Sequence, residues 1–361
     1  MTKRKPSIAI LNYADVRNFG DVLFPMVVAR EIGARIPSAQ FQFLNATGSS
    51  WAGLHSVRID QVELRTFDAI ILGGGEIVHR HDDMLRGIYA RYSLECIERP
   101  TDLVFGWTTV CVAFKAWLAV GVPELTDEAR HGIKYSTPTL NYISARGSKS
   151  AARLADSGAP KPVNVTPDLG WLFPRLLAGC HPPPHPTGGA PYLVVQSLGF
   201  PNVKSALAAL RRISLATGLR VLLLPLTRCW DDERHLRELH QISDGEFILI
   251  EDSMADLDKL ALLSRASLFL GQSMHGLIAT LSHGIAGGIC WPDLNDKFGE
   301  LLGDSQFSHF RSSNGWEGVE GLVQTLLLSP PGLVTQRGKA AAKQLDAMFD
   351  GICDHLLSAV A

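Results

Sequence analysis

The sequence predicts an α/β protein of two Rossmann-like domains, each with a mostly parallel sheet, facing a cleft. Three observations lead there. Strand-length apolar runs alternate with longer amphipathic runs through most of the 361 residues. That alternation marks parallel sheets covered on both faces. A proline- and glycine-rich stretch, Gly179 to Pro191, breaks the pattern once, because proline lacks a donor and glycine resists ordering. The chain is also long for a single core. The expected division is a first domain over 1–178, a linker over 179–191, a second domain over 192–330 and a helical tail over 331–361 that packs back across the first domain.

Before the linker, the strands are expected at Ile8–Leu11, Phe41–Leu44, Ala69–Leu72, Leu103–Phe105 and Tyr142–Ala145. Helical patterns run over Val22–Ile36 and Ser148–Asp156. After it, strands are expected at Tyr192–Gln196, Arg220–Leu224, Phe247–Ile250, Ser267–Leu270 and Gly288–Cys290. Helices are expected over Val203–Thr217, Asp231–Gln241, Met254–Ser264 and Leu277–His283.

Bulk properties exclude several classes. A formal net charge of -2 gives no global basic field for nucleic acid or anionic lipid. The basic start, Met1 to Pro6, leads into an apolar run (Ser7 to Leu11) too short for a signal peptide core or a membrane span. The 6 cysteines are scattered without a C-x-x-C pair, which argues against a disulfide framework or a zinc site and for a reducing cytoplasm.

Chemistry concentrates where apolar strands turn into helices. The most informative turn is Gly271-Gln272-Ser273-Met274-His275-Gly276. Ligands bind at the carboxyl ends of strands in open α/β sheets, and a helix N-terminus favours an anion. His275 stands there among Ser273 and Gly276, unlike a histidine buried in a plain apolar face. The first strand leads into Asn18-Phe19-Gly20-Asp21, where Asp21 is placed to cap the helix from Val22 or to face a substrate. Strand 69–72 runs into Gly73-Gly74-Gly75-Glu76, which lets backbone N–H groups approach an anion or a sugar, or simply makes a tight turn. It lacks the G-x-G-x-x-G spacing of a dinucleotide site. His79, Arg80, His81, Asp82 and Asp83 follow; they are potential metal ligands, but adjacent residues rarely converge on one ion, and a solvated or hydrogen-bonding role is the expectation. Arg146 offers a fork for a carboxylate or phosphate, or pairs with Asp168, and Ser148 can cap its helix. Lys297 and Arg228, the latter near Trp230, follow other strands of the second half. No nucleophile elbow, Walker A loop or H-E-x-x-H is present.

Taken in order, Asn18 to Asp21, Asp68 to Gly75, Arg146 with Ser150, Asp168 and Ser273 to Gly276 resemble the polysaccharide pyruvyl transferase family, over about Ile8 to Lys297. The resemblance implies the two-Rossmann-domain architecture called GT-B. It implies transfer of a pyruvyl group from phosphoenolpyruvate to a sugar of a polysaccharide or glycan precursor, forming a ketal. Many members carry an arginine where this chain has Ser273. In this frame His275, Asp21 and Arg146 are the catalytic candidates. Ser273, Gly276, Lys297 and Arg228 would hold the donor, and Asn18, Gly20, Gly74, Gly75 and Glu76 the acceptor. Histidine titrates near neutrality, which suits His275 to acid–base work. No metal and no cofactor beyond the donor substrate is expected, and no nucleic acid partner. Peripheral association with a membrane glycan-assembly complex fits the role. Two alternatives stay open: a GT-B glycosyltransferase using a nucleotide sugar, and a non-catalytic glycan-binding relative.

Overall fold

A computed structural model of the chain describes residues 5–160, 162–291, 296–302, 309–330 and 332–360; of residues 296, 297, 302 and 360 it describes only the backbone. The chain forms two compact units: Met1–Leu169 with Ala342–Ala361, and Gly170–Ala341.

The first unit carries strands β1 (Ser7–Leu11), β2 (Gln40–Asn45), β3 (Ser56–Arg58), β4 (Ala69–Gly73), β5 (Phe114–Val120), β6 (Tyr142–Ala145) and β7 (Asn164–Val165). They form one parallel sheet in the order β3-β2-β1-β4-β5-β6-β7. Its helices are α1 (Phe19–Arg35), α2 (Asp82–Arg91), α3 (Asp102–Phe105), α4 (Asp127–Ser136) and α5 (Ser148–Asp156). Strands β1, β4 and β5 are apolar almost throughout and buried, as a parallel sheet covered on both faces requires.

The second unit adds α6 (Phe173–Leu176), β8 (Tyr192–Val195), α7 (Val203–Thr217), β9 (Arg220–Leu223), α8 (Asp232–Ile242), β10 (Ile248–Leu249), α9 (Asp256–Leu263), β11 (Leu268–Gly271), α10 (Met274–Ser282), β12 (Gly287–Ile289), α11 (Asp296–Leu302) and α12 (Val319–Leu328). Its parallel sheet has the order β10-β9-β8-β11-β12. The last helix, α13 (Leu333–Val360), starts in the second unit's segment, and its residues from 342 on belong to the first. There Arg35 meets Asp350 at 2.7 Å and Asp346 at 3.1 Å, and Ser144 Oγ donates to Met348.

Four expectations need correction. Leu103–Phe105 is the short helix α3, not a strand, since Gly106 N–H donates back to Asp102 at 2.8 Å. The strand it displaced is β5, whose internal Lys115 disguised it. That lysine is buried, its ammonium donating to the carbonyls of Thr108 and Val110, and burial lowers its pKa. Asp21 does not cap α1: the helix begins three residues before Val22, behind Asn18, because Phe19 and Gly20 are themselves buried. Ser148 is the first helical residue of α5, and Gly147 takes the cap position. The units also divide between Leu169 and Gly170, ahead of the 179–191 stretch, because α6 buries Phe173 and Leu176 and packs on α10.

Two glycines carry the packing of α1 on β4. Gly74 has φ of +74°, and a Cβ there would sit 2.3 Å from the Phe24 ring. Gly75 has φ of +82°, and its Cβ would sit 2.7 Å from Asp21 Oδ1. Gly53 shares the left-handed backbone (φ +82°) but has open space around it. Gly53→Ala is therefore expected to cost about 1–2 kcal/mol from backbone strain alone. Gly74→Ala adds a clash with a fixed ring, worth about 1–3 kcal/mol more. Denaturant melts of both variants check the difference.

Candidate functional site

Each sheet reverses its strand order once, between β1 and β4 in the first unit and between β8 and β11 in the second. At such a reversal neighbouring loops diverge and leave a crevice at the strands' carboxyl ends. The sequence-predicted residues fall largely at these two places.

In the first unit, β1 delivers Asn18, Gly20 and Asp21, and β4 delivers Gly74, Gly75 and Glu76. Asn18 Nδ2 donates to Asp21 Oδ2 at 2.7 Å, which fixes the carboxylate over Gly75. A small depression beside it is lined by Asn12, Tyr13, Asp21, Gly73, Gly74 and Ile77. Arg146 arrives from the end of β6. Gly121 makes room for it, since a Cβ there would lie 2.6 Å from the guanidinium carbon. Arg146 Nη2 meets Glu76 at 2.7 Å, and Nη1 lies 3.6 Å from Asp168 Oδ2. The guanidinium is buried and committed to these acids. Three carboxyl groups, Asp21, Glu76 and Asp168, thus gather around one arginine.

The balance of these groups sets Asp21. Burial pushes its carboxyl up to about 6; the Asn18 hydrogen bond and Arg146 pull it down, and Asp168 and Glu76 push it up again. Proton exchange near neutral pH follows, which an ordinary aspartate does not offer. Behind this cluster lies Asp15, a residue sequence reasoning did not single out. It is fully buried, accepts from Thr47 N–H and Oγ1 at 3.2 and 3.1 Å and from Tyr89 OH at 3.3 Å, and burial pushes it up to about 7. Arg17 beside it stacks between Trp51 and Tyr92, 4.4 and 4.1 Å from their ring centres. His79 and His81 stack on each other, and burial lowers His79 to about 4.

In the second unit, Ser273 caps α10, its Oγ accepting from Gly276 N–H at 3.1 Å. His275 follows in the first turn and is buried. Gly276 is a packing requirement, since a Cβ there would lie 2.7 Å from Leu226 and 2.8 Å from Phe269. Two glutamines that sequence reasoning gave no role clasp the loops. Gln196 Oε1 accepts from Gln272 N–H at 3.0 Å, and Gln272 Oε1 accepts from Leu198 N–H at 2.6 Å. Gln196 Nε2 also donates to Thr227 Oγ1 at 3.3 Å and Asp232 Oδ2 at 3.1 Å. Arg228, next to Thr227, meets Asp252 at 2.6 Å. The side chain of Lys297 lies outside the described residues. The signal for Gln196 was its place at the carboxyl end of the unit's first strand.

The sequence model of the family described as polysaccharide pyruvyl transferase matches residues 18–287. No curated protein matches the sequence closely enough to count as a relative. Among solved structures, the chain is similar to UDP-GlcNAc 2-epimerase from Methanocaldococcus jannaschii, at 10% identity over 91% of this chain and 94% of that one, with a TM-score of 0.54. It is also similar to UDP-GlcNAc 2-epimerase from Neisseria meningitidis bound to UDP-GlcNAc, at 9% identity over 96% and 100% with a TM-score of 0.55. S. aureus MnaA, solved with UDP, aligns at 10% identity over 90% and 88% with a TM-score of 0.55. At these identities the likeness is one of fold: two Rossmann-like α/β units of the GT-B kind.

The raised Asp21 carboxyl has a thermodynamic consequence. Between its ordinary value of 3.8 and about 6 the native state holds a proton that the unfolded chain has lost. Stability contributed by this group therefore falls as pH rises through that window. Asp21→Asn is expected to flatten the dependence. Denaturant melts at about pH 3.5 and about pH 7.5, on either side of the window, should show a smaller difference in the variant than in the wild type.

Proposed function

This chain belongs to the polysaccharide pyruvyl transferase family, and from that premise we propose that it transfers a pyruvyl group from phosphoenolpyruvate to a sugar of a polysaccharide or glycan precursor, closing a ketal. The observation that carries the reading is the extent of the family match, which takes in Asn18, Asp21, Glu76, Arg146 and His275. Phosphoenolpyruvate, a metabolite of the cytoplasm, would supply both the carbon unit and the leaving group, so no further cofactor is required. Such a role fits exopolysaccharide assembly with peripheral attachment to a membrane complex. Among the described residues no helix is long and apolar enough to cross a membrane.

The chemistry assigns roles. A general acid protonates the methylene carbon, leaving an oxocarbenium-like centre at C2. A sugar hydroxyl adds there and gives up its proton. The C2–O bond to phosphate then breaks with its electron pair, and a second hydroxyl adds and loses a proton to close the ketal. The sum is phosphoenolpyruvate plus a diol giving a ketal plus inorganic phosphate. Asp21 suits the base that takes a hydroxyl proton, since its carboxyl titrates near 6. His275 is the proposed donor-side acid, at a helix N-terminus that favours the donor's negative charge. Arg146 acts on this reading as a positioning residue that holds Glu76 and steadies the ionised form of Asp21.

A nucleotide-sugar glycosyltransferase is the second reading, favoured by the fold shared with proteins solved with UDP or UDP-GlcNAc. A thermal-shift titration with phosphoenolpyruvate beside UDP-sugars separates the two. A ligand at about 100 times its Kd stabilises the native state by about 2.7 kcal/mol. Stabilisation by phosphoenolpyruvate supports pyruvyl transfer, and stabilisation by UDP-sugars alone overturns it. In turnover assays His275→Ala and Asp21→Asn are each expected to lose on the order of 10²–10⁴-fold in rate with the melting transition retained. Wild-type turnover should fall as pH drops below about 6, where Asp21 takes up its proton, and wild-type rates in either variant would reject its role.

A further inference from the structure

The run Arg80-His81-Asp82-Asp83 has no part in the reaction above, yet it lines an open cleft of the first unit. Arg86 of α2, Arg99 ahead of α3 and Glu128 in the first turn of α4 complete the lining. The cleft holds about 440 Å³, within the range of about 300–1,000 Å³ in which proteins take up small molecules. Among the described residues no three His, Cys, Asp or Glu side chains converge as a metal site.

The cleft is preformed. Asp82 accepts from Thr101 N–H at 2.8 Å and from Thr101 Oγ1 at 2.9 Å. Arg86 Nη1 donates to the Glu98 carbonyl at 2.6 Å, so α2 holds both ends of the 98–101 segment. Arg80 lies over the Phe105 ring, 4.3 Å from its centre, and its Nη1 donates to Thr101 Oγ1 at 3.1 Å and to Asp102 at 2.8 Å. Its Nη2 makes no hydrogen bond among the described residues and stays open to the cleft. Arg86 with Asp83 and Arg99 with Glu128 are exposed pairs. Such pairs contribute little to stability, so the fold does not require them.

The lining selects its guest. Three guanidinium groups face three carboxylates, so the charges balance. An anion would meet the acids, and a cation the arginines. A hydroxyl group meets neither objection, because a guanidinium only donates, a carboxylate only accepts and a hydroxyl does both. Neighbouring hydroxyls can therefore bridge an arginine and an acid. Met84 is the one apolar side chain among the described residues of the lining, and no Phe, Tyr or Trp joins it. An aromatic base would find nothing to stack on. The cleft also adjoins the Asp21 depression: Tyr13 lines that depression, and its OH donates at 3.3 Å to the carbonyl of Pro100, between Arg99 and Thr101.

We propose that this cleft is a subsite for a neutral saccharide unit, held through its hydroxyls by Arg80, Arg86 and Arg99 on one side and Asp83 and Glu128 on the other. The unit belongs to the same acceptor chain as the sugar that receives the pyruvyl group; that source rests on the pyruvyl-transfer reading.

The test is isothermal titration of the full chain with neutral tetrasaccharides of glucose, mannose, galactose and N-acetylglucosamine, beside tetragalacturonic acid and phosphoenolpyruvate. At least one neutral tetrasaccharide is expected to bind with a Kd of about 1 mM or tighter. Arg86→Gln and Glu128→Gln are each expected to weaken that binding about tenfold, the scale of one lost charge-assisted hydrogen bond, with the melting transition and the affinity for phosphoenolpyruvate unchanged. Loss in either variant supports the subsite. Unchanged saccharide affinity in both overturns it and leaves pyruvyl transfer standing. Saccharide binding that the variants lose, in a protein that takes up no phosphoenolpyruvate, supports the subsite and removes the pyruvyl reading. Tighter binding of tetragalacturonic acid than of the neutral galactose tetrasaccharide overturns the assignment, as does binding of none of the neutral tetrasaccharides.

Discussion

The first unit depends on one close approach. Phe24 of α1 lies against Gly74 so tightly that no side chain could stand between them, and Asp21, one turn earlier, lies over Gly75. The helix therefore starts almost on top of the end of β4. Asp21 loses water, gains Asn18 as a fixed donor and comes within the influence of Arg146, Asp168 and Glu76. Its perturbed carboxyl is thus a consequence of packing. The glycine triplet, which looks like a ligand cradle in the sequence, acts first as the place where helix and strand meet.

The second unit reaches a comparable order by hydrogen bonds. The side chains of Gln196 and Gln272 tie the loops after β8 and β11, and Gln196 continues to Thr227 and Asp232 after β9. Because the amide of Gln196 is fully buried, each lost partner leaves a desolvated polar atom. The loops carrying Ser273, His275 and Arg228 are therefore tied together through Gln196 and Gln272.

Much of the architecture was legible because parallel strands announce themselves as apolar runs. Tyr142–Ala145 and Val203–Thr217 have the expected bounds. β5 was not legible, because a lysine at its second position reads as exposed until its carbonyl partners are known. At the sites, residues next to turns were readable: Asn18, Asp21, Glu76, Ser273 and His275 all stand at strand–helix turns. The partners of Arg146 were readable only in part, since Asp168 was foreseen and Glu76 was not. Asp15 left no signal, because only three-dimensional packing distinguishes a buried charge from a solvated one.

The first unit is not contiguous in the chain. Residues 342–361 belong to it, and in that stretch Leu345, Phe349, Ile352 and Leu356 are buried. During synthesis the first unit's sheet emerges before the second unit, yet the helix that completes it is translated only after that unit. Domains usually fold in order as they leave the ribosome. Here the first unit must wait, with apolar surface uncovered, until the second has been made in full. Residues 342–361 are in this sense the keystone of the first unit, and a chain lacking them would leave that unit unfinished.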